Sequence, residues 1–250
     1  WGYQVSVNII GQVETRSKIK KTNIIMGKGI FITGTDTGVG KTCFTLTLME
    51  ALKKQGYRAS GMKPVASGGK YIKGKFMNND AYLIMQHCSE IMDYDLVNPF
   101  VFNEPVSPNF AARQTSEIVD IAPILSSYNQ LTLVSDYTVV EGVGGWRVSL
   151  SDDIKTNELV HELALPVLLV VGLRLGCINH AILTAEAIKS DGITLCGWVS
   201  NQVERSYQYK EETRTLLNKE LACPNIADFS YMNDINSVSY THLTLPTKRI

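Results

Sequence analysis

The sequence predicts an α/β domain in which helices cover both faces of a doubly wound, mostly parallel sheet. Apolar runs of strand length alternate with helix-like segments, which is the pattern of repeated strand–helix–strand units. Residues 167–171 are continuously apolar, as expected of a strand covered on both faces. In chain order, strands are predicted near 29–34, 58–62, 137–141, 167–172 and 194–200, helices near 41–55, 79–91, 116–129, 156–164, 177–190 and 207–221, and a further strand near 97–102 or 225–229.

A glycine-rich loop separates the first predicted strand from the first predicted helix. It reads GTDTGVGKT over residues 34–42 and places Lys41 and Thr42 at the helix start. In a phosphate-binding P-loop, backbone N–H groups cradle a polyphosphate, the lysine reaches its outer oxygens and the hydroxyl coordinates Mg²⁺. Here five residues separate Gly34 from Gly40, where the usual motif has four. The alternative is a plain glycine turn, which does not account for the lysine and threonine behind it.

Two later strand ends carry polar residues toward the same edge of the predicted sheet. The segment RASGMKPVASG, residues 58–68, is a short strand that breaks into a loop containing Lys63. Residues 137–146 form an apolar strand that ends in Glu141 and then glycines. A carboxylate in that position needs a partner to offset its desolvation. Because parallel strands deliver such loops to the ligand-binding edge, both residues are predicted to join the P-loop.

These segments resemble the dethiobiotin synthetase family over roughly residues 27–227. The blocks that carry the resemblance are GTDTGVGKT, GMKPVASG, NDA at 79–81, VNPF at 97–100, EP and SP at 104–108, VEGVGGW, LGCINH at 175–180 and GWVSN at 197–201. The resemblance implies a P-loop NTPase-like fold and a Mg²⁺-dependent, ATP-consuming ligase of biotin biosynthesis. One amine of 7,8-diaminononanoate captures CO₂ as a carbamate, the carbamate attacks the γ-phosphate, and the second amine closes the ureido ring. Catalysis then consists of positioning and charge neutralisation.

The resemblance also implies roles for individual residues. Lys41, Lys63, Thr37 and Ser67 are the expected catalytic residues, and the last three also face the substrate. Mg²⁺ favours hard oxygen ligands, and the expected set is Thr42, Asp80 and Glu141. The nucleotide is expected to contact Gly38, Val39, Gly40, Lys41, Thr42, Cys43 and, at the base, Asn201.

The substrate site is expected to span two subunits of a homodimer. Gly144 belongs to it within one subunit. The substrate carboxylate is received by a helix start of the neighbouring subunit, where free backbone N–H groups bind anions. The residues implied there are Gly176, Cys177, Ile178 and Asn179.

Several of these residues have simpler explanations. Lys63 could be a solvated surface lysine. Its position in a loop that follows a predicted strand favours a functional role instead. Asp80 follows two asparagines before a helical run and is also suited to helix capping. Asn201 could also be a plain turn residue without a role in binding. His180 is interpreted as structural because no metal-ligand or triad spacing accompanies it.

Composition favours one cytoplasmic domain at residues 26–230. The formal net charge is zero, which implies neither nucleic-acid nor membrane partners, and the longest apolar run is too short to span a bilayer. Five cysteines without paired-ligand spacing indicate reduced thiols. Residues 1–25 are interpreted as a leader or disordered arm, and residues 231–250 as a tail outside the family pattern. The usual Gly-x-x-Pro strand beside the nucleotide base is missing.

Two other classes of protein fit the sequence less well. Partition or septum-positioning ATPases share the fold, but their loop carries a signature lysine where this chain has Asp36. A glutamine-dependent synthetase of the cobyrinic acid group would need an amidotransferase Cys/His pair in an extra domain. A scaffold without activity would not need Lys41, Lys63 and Glu141 at one sheet edge.

Overall fold

A parallel six-stranded sheet forms the centre of the protein. The computed structural model describes residues 28–115 and 117–231. Its strands are β1 (Lys28–Gly34), β2 (Ala59–Met62), β3 (Val65–Ser67), β4 (Gly69–Ile72), β5 (Lys75–Asn78), β6 (Phe100–Phe102), β7 (Tyr137–Glu141), β8 (Val167–Leu173), β9 (Leu195–Gln202) and β10 (Asn225–Phe229). The central sheet has the order β10-β9-β8-β1-β7-β2, and every pairing within it is parallel.

Helices connect the strands of this sheet. They are α1 (Lys41–Lys54), α2 (Asn79–His87), α3 (Tyr94–Val97), α4 (Pro108–Thr115), α5 (Ile121–Val134), α6 (Thr156–Leu163), α7 (Cys177–Ser190) and α8 (Lys210–Glu220). Alternating strands and helices with parallel pairing confirm the predicted α/β class.

The sheet is covered on both faces, as the apolar strands predict. Along β1, Phe31 belongs to one core cluster, whereas its neighbours Ile30 and Ile32 belong to the other. The second cluster takes Phe44 and Met49 from α1 and Ile84 from α2, and the first takes residues of α5 to α8. All seven residues of β8 are buried. Successive side chains of a strand point to opposite faces of the sheet. A strand that is buried on both faces therefore has apolar residues at every position and does not alternate between apolar and polar residues.

The central strand β1 is the point where the order of connection reverses. It pairs with β7 on one side and β8 on the other. The loops that leave the ends of β1, β7 and β8 therefore diverge around one crevice, the usual ligand position in an open α/β sheet.

Two small sheets lie beside this crevice. The strands β3 and β6 pair in parallel, and β4 and β5 form an antiparallel hairpin between residues 67 and 79. The sequence patterns did not predict β3 or the hairpin. Both additions belong to the chain between β2 and α2.

Most predicted elements are confirmed, but the predicted helix near 116–129 is wrong in its bounds. The chain forms α4 and α5 instead, and Asp120 accepts a hydrogen bond from the Ala122 N–H, which starts α5 after the predicted point. Both candidate positions for the extra strand are strands. β6 joins a small sheet and β10 joins the central one.

Residues 1–25, and all but Tyr231 of the interval 231–250, lie outside the described residues. Within the described ranges, no helix combines the length and apolar character that crossing a membrane requires.

Gly61 in β2 gives a test of how closely α1 and α2 pack on the sheet. A Cβ atom at Gly61 would lie 2.3 Å from Ile84 Cγ2 and 2.8 Å from Met49 Sδ. Both neighbours are fully buried. We expect Gly61→Ala to lower the free energy of unfolding by about 1–3 kcal/mol, measured by urea denaturation. At Gly145 the nearest atom to a Cβ is 3.6 Å away, so Gly145→Ala is the control. Equal stability of the two variants would contradict this packing.

Candidate functional site

The P-loop and the start of α1 form the floor of the candidate site. Gly40 precedes α1 with φ 95°, a left-handed conformation that favours glycine. It therefore turns the chain so that Lys41 and Thr42 begin the helix. A Cβ atom on Gly40 would lie only 2.1 Å from Asn201 Nδ2. Glycine is required at this position on both grounds.

Asn201 lies at the end of β9 and supports this turn. Its Nδ2 donates a hydrogen bond of 2.9 Å to the carbonyl oxygen of Val39. The structure therefore brings Asn201 to the predicted nucleotide loop through a backbone contact, and its role toward a base remains a prediction.

Lys41 is buried at the base of the crevice. Its Nζ donates to the carbonyl oxygens of Asp36, at 2.9 Å, and Gly144, at 2.7 Å. Burial and the nearby charge of Lys63 lower the pKa of Lys41 to about 8. The ammonium group has backbone carbonyl partners and, among the described residues, no carboxylate in direct contact, so an anion in the crevice would favour its charged form.

Glu141 is the acidic centre of the site. The residue is 1% exposed, at the end of the wholly buried β7. Its Oε1 accepts hydrogen bonds from Thr42 Oγ1, at 2.9 Å, and Lys63 Nζ, at 2.6 Å. Its Oε2 is also buried and has no hydrogen-bond partner among the described residues. The predicted partner that offsets desolvation of Glu141 is therefore Lys63, together with Thr42.

Lys63 links this centre to Asp80. Its Nζ lies 3.5 Å from Asp80 Oδ2, and Lys63 is 5% exposed. Burial opposes the charge of Lys63, but the two carboxylates outweigh it and raise its pKa above the ordinary value. The explanation of Lys63 as a solvated surface lysine is therefore wrong. In the segment of residues 78–80 that the capping alternative concerned, Asn78 supplies the cap of α2, and Asp80 lies in the first turn of that helix.

These groups line one cavity of about 680 Å³. The predicted site residues that reach it are Thr37, Gly38, Gly40, Lys41, Thr42, Cys43, Lys63, Ser67, Asp80, Glu141 and Gly144. Burial raises the pKa of the Cys43 thiol to about 11, so the thiol stays protonated at neutral pH. Ser67 Oγ is buried without a hydrogen-bond partner among the described residues. The cavity thus combines two lysines, two carboxylates and several hydroxyl groups.

The predicted carboxylate-binding loop does not reach this cavity within the same chain. Gly176 caps α7 with φ 89°, and Gly176 and Asn179 are exposed, whereas Cys177 is buried. None of the residues 176–179 is among the cavity lining.

Sequence reasoning missed several groups around the cavity. Arg174, at the end of β8, forms an ion pair with Asp36 of the P-loop. Only the pairing of β1 with β8 places these residues together, so no local pattern points to the contact. The remaining cavity lining comprises Asn78, Pro105, Val106, Ser107, Pro108, Val143 and Val148. For Pro105, Ser107 and Pro108 the signal was the EP and SP blocks, which carried no assigned role.

Comparison with known proteins identifies relatives over most of the chain. A family model described as an AAA domain matches residues 28–239. An ATP-dependent dethiobiotin synthetase of Xanthomonas axonopodis pv. citri is 40% identical over 217 residues, which covers 86% of this chain and 97% of that protein. The ATP-dependent dethiobiotin synthetase BioD 1 of Escherichia coli K12 is 38% identical over 222 residues, which covers 88% and 99%.

Solved structures share the fold at low sequence identity. A ParA family ATPase from Chlorobium tepidum has a TM-score of 0.50 and 15% identity, covering 87% of this chain and 89% of that one. A chain of the MinC:MinD cell division complex from Aquifex aeolicus has a TM-score of 0.51 and 17% identity, covering 86% and 84%. At this identity the likeness concerns the fold alone, whereas the curated relatives are similar over nearly their full length. The chain therefore belongs to the ATP-dependent dethiobiotin synthetase family.

Proposed function

We propose that this protein is a cyclo-ligase that converts 7,8-diaminononanoate and CO₂ to dethiobiotin, with ATP cleaved to ADP and phosphate. Family membership supplies the reaction. One observation supports the proposal at the level of individual residues: Lys41, Lys63 and Glu141 line one cavity beside the P-loop. A carbamate and a γ-phosphate repel each other, and two lysines in a buried site reduce that repulsion.

The P-loop side of the cavity is the proposed ATP site. Backbone N–H groups of residues 38–43 and the start of α1 would hold the phosphates. Lys41 would lie against the outer phosphate. Asn201 would then act on the base side of the same loop, as the family resemblance implies, in addition to its contact with Val39.

The residues present fit a Mg²⁺ ion next to the phosphates. Thr42, Glu141 and Asp80 offer a hydroxyl group and two carboxylates, which suit this hard cation. The unpartnered, buried Oε2 of Glu141 supports the assignment, because such an atom is costly unless it gains a partner. When bound, Mg²⁺ would neutralise phosphate charge. Lys63 would remain beside Glu141 and face the carbamate.

The diamine is proposed to occupy the cavity on the Lys63 side. Thr37 and Ser67 line that space, and the hydroxyl of Ser67 is free to bond an amine or carbamate. No side chain is required to form a covalent bond, so the task of these residues is orientation. Gly144 adds a backbone carbonyl that holds Lys41 in place.

We further propose that the substrate carboxylate is bound by Gly176, Cys177, Ile178 and Asn179 of a second copy of the chain in a homodimer. The absence of residues 176–179 from the cavity lining of their own described chain supports a role in trans. Residues 26–230 would form the catalytic unit. The five unpaired cysteines favour a cytoplasmic setting.

The first prediction concerns coupling between substrates. We expect phosphate release from ATP to require the diamine and bicarbonate together, because no residue of the cavity is assigned to position a water molecule for attack. A phosphate-release assay with each component added singly and in combination measures this. Rapid ATP hydrolysis without the diamine would favour a switch ATPase.

The second prediction concerns the charge of Lys63. Lys63→Gln keeps a hydrogen-bond donor for Glu141 but removes the charge. We expect it to raise the activation free energy by about 2–4 kcal/mol, a roughly 30- to 1000-fold loss of kcat. Lys63→Ala should lose activity and, in addition, about 3–5 kcal/mol of stability, because it leaves Glu141 buried without its charge partner. Lys70→Gln, on the exposed hairpin, is the control. Normal kcat in Lys63→Gln would remove Lys63 from the reaction.

The third prediction tests the shared pocket. Lys41→Ala and Gly176→Glu should each be inactive, and an equal mixture that exchanges subunits should recover about a quarter of the wild-type activity. Half of the dimers are then mixed, and each mixed dimer has one intact pocket.

Gly192→Glu is the matched control for the mixing experiment. Gly192 also has a positive φ, 71°, with no atom near its Cβ position, and it lies past the other end of α7. It should remain active alone. Exchange of subunits without recovery, or full activity in a monomer, would contradict the proposal.

A further inference from the structure

We infer that Tyr94 is a positioning residue of the proposed reaction, because its hydroxyl group connects the backbone that carries Lys63 to the backbone that carries Ser67 and Asp80. Its effect on catalysis rests on the proposed function, whereas the connection between the two segments rests on hydrogen bonds alone. Tyr94 lies in the single-turn helix α3 and is not part of the cavity lining.

The Tyr94 hydroxyl is buried and bonded on both sides. The backbone N–H of Asn78 donates to it at 2.7 Å, and it donates to Asn98 Oδ1 at 2.7 Å. The three residues are between 2% and 7% exposed. Burial raises the pKa of Tyr94 above its ordinary value, so the hydroxyl stays protonated and can donate.

On one side, this chain of hydrogen bonds ends at the backbone of Lys63. Asn98 Nδ2 donates to the carbonyl oxygen of Lys63 at 2.6 Å and to that of Phe100 at 3.0 Å. The Lys63 N–H donates to the carbonyl oxygen of Val97 at 2.8 Å. Both backbone polar groups of Lys63 are therefore held at the end of α3, by its last residue Val97 and by Asn98, which follows it.

On the other side, the chain ends at Ser67 and Asp80. Asn78 Nδ2 donates to the carbonyl oxygen of Ser67 at 3.0 Å. Asn78 Oδ1 accepts from the N–H groups of Asp80, at 2.9 Å, and Ala81, at 3.2 Å, and so caps α2. Asn78 thus closes the base of the β4–β5 hairpin and orients the first turn of α2.

The Tyr94 hydroxyl joins the two branches by hydrogen bonds, in addition to the ion pair between Lys63 and Asp80. The bonds from the Asn78 N–H through Tyr94 to Asn98 run in one direction from donor to acceptor, so each bond polarises the next. Removing the hydroxyl leaves a buried N–H and a buried amide oxygen without partners. Both branches would then relax, and the positions of Lys63, Ser67 and Asp80 would depend on the remaining contacts, among them the Lys63–Asp80 ion pair.

Tyr94→Phe tests the connection by amide hydrogen exchange with mass spectrometry on the whole chain. We expect exchange in residues 63–68 and in residues 78–81 to become roughly tenfold faster. The first segment makes no hydrogen bond of its own to the Tyr94 hydroxyl, so its response would have to pass through Asn98 at Lys63 or through Asn78 at Ser67. The control is Tyr128→Phe, at a buried tyrosine of α5 that is not part of the cavity lining. It should leave both segments unchanged.

The same variants test the effect on catalysis. In Tyr94→Phe we expect kcat to fall roughly tenfold, because small displacements of positioning groups slow a reaction strongly. The KM for ATP should stay within about twofold, since the network contains no P-loop residue. Tyr128→Phe should keep both constants. A purely structural role of Tyr94 would lower stability without this selective loss of kcat.

Asn98→Asp is a second variant for the case in which Tyr94→Phe does not fold. It keeps the acceptor for Tyr94 and removes the donor to Lys63. Exchange should then rise in residues 63–68 and stay unchanged in 78–81.

Unchanged exchange in 63–68 in both variants would overturn the inferred connection. Faster exchange with normal kcat would overturn the role in catalysis. A wild-type protein that does not use the diamine would refute the proposed function, while the exchange result would still decide the connection.

Discussion

The buried carboxylate of Glu141 is the constraint on which the site depends. A carboxylate that is removed from water is costly unless charges and hydrogen bonds compensate it. Oε1 of Glu141 obtains that compensation from Thr42 of α1 and from Lys63 of the loop after β2, and Lys63 extends the pairing to Asp80 of α2. Satisfying a single carboxylate therefore fixes three segments of the chain relative to β7.

The order of strands explains why these segments can meet. The strand β7 lies between β1 and β2, so the P-loop, Glu141 and Lys63 leave adjacent strand ends on one edge of the sheet. The strand β8 lies on the other side of β1 and brings Arg174 to Asp36. The crevice lies where the order of the strands reverses. Residues that are far apart in the sequence therefore approach it from both sides.

The fold alone does not select the chemistry. The ParA and MinC:MinD structures share the architecture at 15% and 17% identity. In this chain, Asp36 of the P-loop is paired with Arg174 from the end of β8. A function built on such a fold is carried by local residues, and the segment between β2 and α2 brings Lys63 and Ser67 to the cavity.

The parallel α/β class, the P-loop and most cavity residues could be predicted from the sequence. A strand buried on both faces is a continuous apolar run, and a P-loop places glycines, lysine and threonine close together between a strand and a helix, so both features are visible in short stretches of sequence. Tertiary structure alone decided the Lys63–Glu141 pair, the Asp36–Arg174 pair and the links from Tyr94 to Asn78 and Asn98. It also decided the break between α4 and α5. Those features depend on contacts between residues far apart in the chain, and no local periodicity encodes which distant side chain will offset a buried charge.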